Sequence, residues 1–307
     1  MILNLDIDDS FSNHRIQPIT SDNQTDVEIS PLSYNEVCSI INKLKSNKLG
    51  GTDTIISELI KQGGRTFKQR IYKLLLMMWE KEHLPNHWKE GIICPLYKKG
   101  DILDCTNYRP ITLLNVAYKI FAIILNQKLL DIIETELGDY ESGFRPSRST
   151  IDNIFMIRQI IEKCYEYNID IRNIFIDYTH AFDSIKGNKI IDSLTQIKVP
   201  PKLIRLVKLT FENTTAKVKV NNAYTSEFRV ESGVKQGDPL SPTLFNLVID
   251  TVLRKLDLKG NISTQLRQLM AYADNVLRTA HTKQSLIDTF QQLKNNSVEV
   301  RLTINEK

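Results

Sequence analysis

Two acidic residues fall where backbone geometry, not a flexible side chain, would hold a carboxylate in place. In Ala271-Tyr-Ala-Asp-Asn275, Asp274 and Asn275 lie between two short apolar runs, at the expected tip of a β-hairpin. About a hundred residues earlier, Ile174-Phe-Ile-Asp-Tyr-Thr-His-Ala-Phe-Asp183 closes another apolar, strand-like run on Asp177. Mg²⁺ takes hard oxygen ligands, commonly one or two carboxylates together with substrate phosphates. Carboxylates on strands suit a site where two ions sit roughly 3.5–4 Å apart and clamp an in-line displacement at phosphorus. The chemistry expected is two-metal phosphoryl transfer. Each acid alone reads as a solvated residue at a strand end; the pair is more suggestive, and the stretches around both acids carry the inference.

The elements that must position these acids can be read along the chain. Ser33-Tyr-Asn-Glu36 is a capping-box pattern before Val37, Ile40, Ile41 and Leu44 at helical spacing. The glycines of Asn47-Lys-Leu-Gly-Gly-Thr-Asp53 end that helix. A second helix over 66–82 carries an apolar band through Ile71, Leu74, Leu75, Met78 and Trp79, read as core. An apolar strand from Gly91 runs into the basic turn at Lys98, a helix spans about 114–135, and Ser149 or Thr150 opens another that reaches Cys164. A strand over 172–176 delivers Asp177, with helices near 187–197 and 201–213 after it. Residues 216–220 and 227–231 alternate like a hairpin. A helix over about 240–257 precedes the Asp274 hairpin, followed by a helix near 283–295 and a last strand near 298–304. The pattern predicts an α+β fold with helices packed on one antiparallel sheet. Residues 1–32 read as a loose polar lead-in and 33–307 as the ordered domain.

Composition narrows the class without choosing the partner. Of the 307 residues, 41% are hydrophobic and 25% charged, as in a globular chain with a sizeable core. A net charge of +4 fits a nucleic-acid binder and an ordinary surface alike. Cys38, Cys94, Cys105 and Cys164 form no CxxC pair, which points to reduced thiols and an intracellular protein. No run approaches the ~18 apolar residues of a membrane span, and no secretory signal opens the chain.

Longer stretches around the acids make the reading specific. Phe175-Ile-Asp-Tyr-Thr-His-Ala-Phe-Asp183, Gly233-Val-Lys-Gln-Gly-Asp-Pro-Leu-Ser-Pro242 with Leu244-Phe-Asn-Leu-Val-Ile-Asp250, and Tyr272-Ala-Asp-Asn275 closely resemble motifs A, B and C of reverse transcriptases. Asn107-Tyr-Arg-Pro-Ile111 and Ser142-Gly-Phe-Arg-Pro-Ser-Arg-Ser-Thr150 look like the fingers motifs of the non-LTR, LINE-like retrotransposon branch. The resemblance implies a right-hand polymerase fingers and palm, with an antiparallel palm sheet packed by helices. It implies an RNA-directed DNA polymerase working on an RNA template, a DNA primer and dNTPs, with two Mg²⁺, or Mn²⁺ in their place.

The resemblance also assigns roles by residue. Asp177 and Asp274 match the metal-binding carboxylates, with Asn275 beside them in the catalytic set. Lys98 and Arg109 resemble the cations that grip the triphosphate, and Phe182 the bulky side chain that blocks a 2′-hydroxyl. Gln236 and Gly237 match the motif B loop at the nucleotide, while Arg145 and Arg148 are candidate contacts to template phosphates, with a structural ion pair as the alternative for each. Asp183 is given a structural role, Asp238 an N-cap, and Lys307 resembles the motif D lysine that protonates pyrophosphate.

Several departures set further expectations. Asn275 stands where relatives have a second Asp: the amide keeps one carbonyl ligand but loses a charge, a loss on the order of 10²–10³ in rate. Arg278 interrupts an apolar strand, and residues 47–53 lack the prolines of the matching family loop. The motifs stop near motif D, so the thumb is expected to be absent from this chain, as is an endonuclease before the fingers. A non-catalytic nucleic-acid-binding remnant of the fold is the alternative reading; an organellar maturase or telomerase-like enzyme fits the fingers motifs less well.

Overall fold

Local signals set most of the helices. In the computed structural model, which describes residues 29–221, 223–258 and 268–306, Ser33 Oγ accepts the Glu36 N–H at 3.1 Å, and Glu36 accepts the Ser33 N–H at 3.4 Å. This capping box opens α1 (Tyr34–Lys43), which buries Val37, Ile40 and Ile41. Next come α2 (Ser57–Gln62), α3 (Arg65–Lys81) and α4 (Asn86–Lys89), with Trp79 and Trp88 packed inward. The hairpin of β1 (Glu90–Tyr97) and β2 (Tyr108–Leu113) leads to α5 (Val116–Glu136), apolar around its circumference and buried along most of its length. Then follow α6 (Thr150–Glu166), β3 (Arg172–Thr179), α7 (Ala181–Ser184), α8 (Gly187–Gln196) and α9 (Pro201–Leu209). The remainder is β4 (Thr215–Val220), β5 (Ala223–Tyr224), β6 (Phe228–Arg229), α10 (Ser241–Leu253), β7 (Leu269–Tyr272), β8 (Asn275–Ala280), α11 (Lys283–Glu299) and β9 (Thr303–Ile304).

The strands form two sheets where one was expected. The palm sheet has the order β7-β8-β3-β9 and is antiparallel throughout. The second sheet, β2-β1-β4-β5 with β6 also on β4, is mixed, because β1 runs parallel to β4. Alternation marks each strand but carries no record of its partner, and β1 and β4 are joined by a long excursion through the palm. The predicted 216–231 hairpin exists as β4 on β6, with Ala216 opposite Phe228, and β5 pairs with β4 as well.

Several boundaries move. The last strand is only Thr303–Ile304, because α11 runs on to Glu299 with Ser297 buried and bonded to Tyr178. The helix expected over 201–213 ends at Leu209. One hydrophobic cluster extends from Leu32 to Ile304 and joins the fingers helices to the palm. Among the described residues no helix is long and apolar enough to cross a membrane. Most of the lead-in (residues 1–28) and Lys307, the motif D candidate, lie outside the described residues.

Candidate active site

Register across the palm sheet brings the acids together. Asp177 of β3 and Asn275 of β8 are direct antiparallel partners, and Asn275 in turn faces Tyr272 of β7. Strand side chains alternate, so Ile176 and Tyr178 point into the core and Asp177 is exposed on the open face. On the other edge, Asn305 donates its backbone N–H to the Asp177 carbonyl at 2.8 Å and its amide to Asp177 Oδ2 at 3.4 Å. The two-residue turn is Ala273-Asp274; Asn275 is the first residue of β8 and not part of the tip, one position off the expectation. Ala273 sits in the left-handed region at φ 55°, a strained place for a residue with a Cβ.

The electrostatics of Asp274 identify its neighbours. Burial pushes its carboxyl above the usual range, the Asp177 charge pushes the same way, and Lys98 and Arg109 pull it down. Lys98 follows β1 and Arg109 lies on β2, where Leu96 faces Arg109 across the hairpin, so this sheet presents both cations to the palm carboxylates. Asn275 donates its amide to Asp274 Oδ1 at 3.1 Å. The cluster therefore has two negative charges, both with exposed or half-buried side chains on one open face.

The motif B loop is tied to motif A. The Gln236 amide nitrogen donates to both carboxylate oxygens of Asp183 at 3.0 Å. Burial raises the Asp183 carboxyl, while Gln236, His180 and Lys98 lower it. The Gln236 carbonyl accepts the Thr112 N–H at 2.7 Å, and Gly237, at φ 107°, would bring a Cβ within 3.0 Å of the Thr112 carbonyl. The loop thus binds the end of β2 through its backbone. Asp238 is buried and accepts the Leu240 N–H at 2.9 Å and the Tyr118 hydroxyl, but the N-cap of α10 is Leu240, which corrects the expected N-cap role of Asp238. Phe182 stacks on Phe245 at 4.5 Å between centroids, with Phe144 edge-on at 6.3 Å, so it is half packed into the core and half at the cleft.

Composition of this site agrees with the wider sequence comparison. The family profile for reverse transcriptase (RNA-dependent DNA polymerase) matches residues 96–307. The chain belongs to the reverse transcriptase family. Its relatives are RNA-directed DNA polymerases of non-LTR retrotransposons. It is 27% identical over 88% of its length to the transposon TX1 149 kDa protein of Xenopus laevis, covering 21% of that protein. It is 23% identical over 89% of its length to the RNA-directed DNA polymerase from mobile element jockey of Drosophila melanogaster, covering 31% of it. The chain thus spans about a fifth to a third of these relatives. In fold it is similar to apo telomerase from Candida tropicalis, with a TM-score of 0.54 at 14% identity, covering 78% of this chain and 56% of the C-terminally truncated telomerase.

The two fingers arginines part company. Arg145 is buried: its guanidinium donates to the Glu134 carboxylate at 3.1 Å and to the carbonyls of Gly138 and Glu141 at 2.8 and 3.0 Å. Its donors are used inside the protein, so of the two readings, template contact and structural ion pair, Arg145 takes the second. Arg148 is half-buried and pairs with Asp139 at 2.7 Å, at the surface.

Sequence reasoning missed Glu141, although it lies one residue before the fingers motif it helps to place. This fully buried carboxylate accepts the N–H groups of Gly143 at 2.6 Å and Ala273 at 3.1 Å. Burial pushes its pKa up to about 7, against the pull of those two bonds and of Arg145. A Cβ on Gly143 would lie 2.4 Å from the Ala273 nitrogen, so this loop and the Ala273-Asp274 turn touch directly. Asn305 was missed too, for want of any motif signal.

Proposed function

We propose that this domain joins a deoxynucleotide from a dNTP to a primer 3′-hydroxyl on an RNA template, using Asp177 and Asp274. The observation that supports this best is the convergence of these two carboxylates with Lys98 and Arg109 on the open face of the palm sheet. The donor set suits Mg²⁺: hard oxygens from two carboxylates whose charges repel, with room for phosphate oxygens to complete the shell. When bound, the ions neutralise the triphosphate and activate the primer hydroxyl.

The remaining roles belong to this chain. Arg109 offers paired donors and Lys98 a point charge to the β- and γ-phosphates. Phe182 closes the space beside the sugar 2′-carbon. Gln236, with its amide nitrogen held by Asp183, turns its carbonyl oxygen to the nucleotide as an acceptor. Arg148 is the candidate template contact.

One observation favours a second reading, a nucleic-acid-binding remnant without catalysis. Asn275 puts an amide where a third carboxylate would add charge, and that amide occupies an oxygen of Asp274. Primer extension by the chain as it stands, Asn275→Asp and Asp177→Asn, in Mg²⁺ and in Mn²⁺, separates the readings. The polymerase reading expects slow extension by the parent, a gain on the order of 10²-fold from Asn275→Asp, and none from Asp177→Asn. Template binding without extension in all three would favour the remnant.

A further inference from the structure

Toward the far end of β8 from Asn275, a cavity of about 800 Å³ opens between α6 and the palm sheet. Its wall is mostly apolar, with Met156, Ile160 and Cys164 from α6 facing Ile171 and Ala280. Such a volume falls in the range of about 300–1,000 Å³ typical of small-molecule sites. One charged group lines it that is itself buried. Arg278 is only 3% exposed.

The partners of Arg278 are all neutral. Its Nε donates to Thr289 Oγ1 at 3.4 Å, and Nη1 donates to the carbonyls of Gln268 and Thr279 at 3.1 and 2.6 Å. Among the described residues Nη2 has no hydrogen bond, and no carboxylate lies within ion-pair reach of the guanidinium. Residues 259–267, which precede Gln268 in the chain, contain no Asp or Glu. Burial alone pushes the guanidinium below its ordinary range. A buried cation without a counter-charge is costly, and proteins ordinarily pair it.

We propose that this cavity binds a small organic monoanion, its carboxylate meeting Nη2 of Arg278 and its apolar chain lying along α6. The charge count supports one negative charge and not two. Among the described residues only Nη2 of the guanidinium lacks a hydrogen bond, whereas a phosphate dianion needs more donors. The rim cation Lys163 is already bonded to Glu166 at 2.6 Å, and the His281 ring nitrogen Nδ1 is 3.1 Å from the Asp170 carbonyl. The apolar wall selects a hydrocarbon body. This site is separate from the carboxylate cluster, and the inference does not rest on the polymerase reading.

Calorimetry with decanoate, and with decan-1-ol as the uncharged control, tests it on the intact chain. Decanoate should bind one-to-one and about tenfold or more tighter than the alcohol, the worth of one charge-assisted hydrogen bond. Arg278→Met should erase that preference and leave alcohol binding unchanged. Cys164→Trp, which fills the cavity and keeps Arg278, should abolish decanoate binding, and it serves if Arg278→Met fails to fold. Saturating decanoate should also slow alkylation of the half-buried Cys164 thiol, and not that of the exposed Cys105. Absent decanoate binding, equal binding of acid and alcohol, a preference that survives Arg278→Met, or unprotected Cys164 would each overturn the proposal.

Discussion

The packing of Phe182, which the structure shows, and its proposed role beside the nucleotide sugar can be separated by one substitution. Its ring stacks on Phe245 with planes 16° apart, meets Phe144 edge-on, and is otherwise half exposed. Phe182→Ala should lower stability by about 2 kcal/mol, less than for a fully buried ring, which urea unfolding would read. In an Asn275→Asp background it should also admit ribonucleotides, with the preference for dNTPs falling roughly tenfold, about 1.4 kcal/mol of discrimination. If stability falls and selectivity holds, the ring is core packing alone. The motif named Phe182, but its stacking partner on α10 came from the fold.

Element by element, the segment 138–148 is held from three sides. Arg145 fastens it to the end of α5 through Glu134, Asn246 of α10 donates to the Gly143 carbonyl, and Glu141 reaches the Ala273 turn. Arg145→Ala should therefore cost about 3–5 kcal/mol, the usual loss on breaking a buried pair. Arg148→Ala should change stability by less than about 0.5 kcal/mol and weaken template binding, measured by fluorescence anisotropy. Equal stability losses would contradict this division.

Glu141 adds a pH signature to the same segment. Its folded-state pKa is about 7, above the ordinary 4.5, so the folded chain keeps a proton that the unfolded chain releases. Stability from this group is full below about 4.5 and is lost as pH rises through about 7, a swing on the order of 3 kcal/mol. Glu141→Gln should flatten that part of the profile in denaturation at pH 4.5–7.5. An unchanged slope would mean that the carboxyl is ionised throughout.

At the scale of the whole molecule, the chain crosses between fingers and palm more than once. β1 finds its parallel partner in β4 only after the chain has built α5, α6 and β3, and one apolar cluster joins both regions. Such interleaving predicts a single cooperative transition. Both tryptophans, Trp79 and Trp88, are buried in the fingers, so fluorescence reports there and far-UV circular dichroism reports on every helix. The two urea curves should coincide, and a fragment ending near residue 170 should not fold. Separated midpoints would show independent fingers and palm.

Residue types and short-range spacing were enough to read the family: ordered motifs, two acids at strand ends with an amide beside one of them, and helices legible from 3.6-residue periodicity. These depend on residue type and on neighbours a few positions away, which a sequence displays directly. The partners came from the fold alone. It placed Asp177 opposite Asn275, tied Gln236 to Asp183, turned Arg145 inward, buried Arg278 beside a cavity, and set Glu141 under the Ala273-Asp274 turn. The physical reason is that strand register and side-chain pairing are settled between segments as far as 132 residues apart, Glu141 to Ala273. Nothing in a local pattern records which distant group will share a buried hydrogen bond.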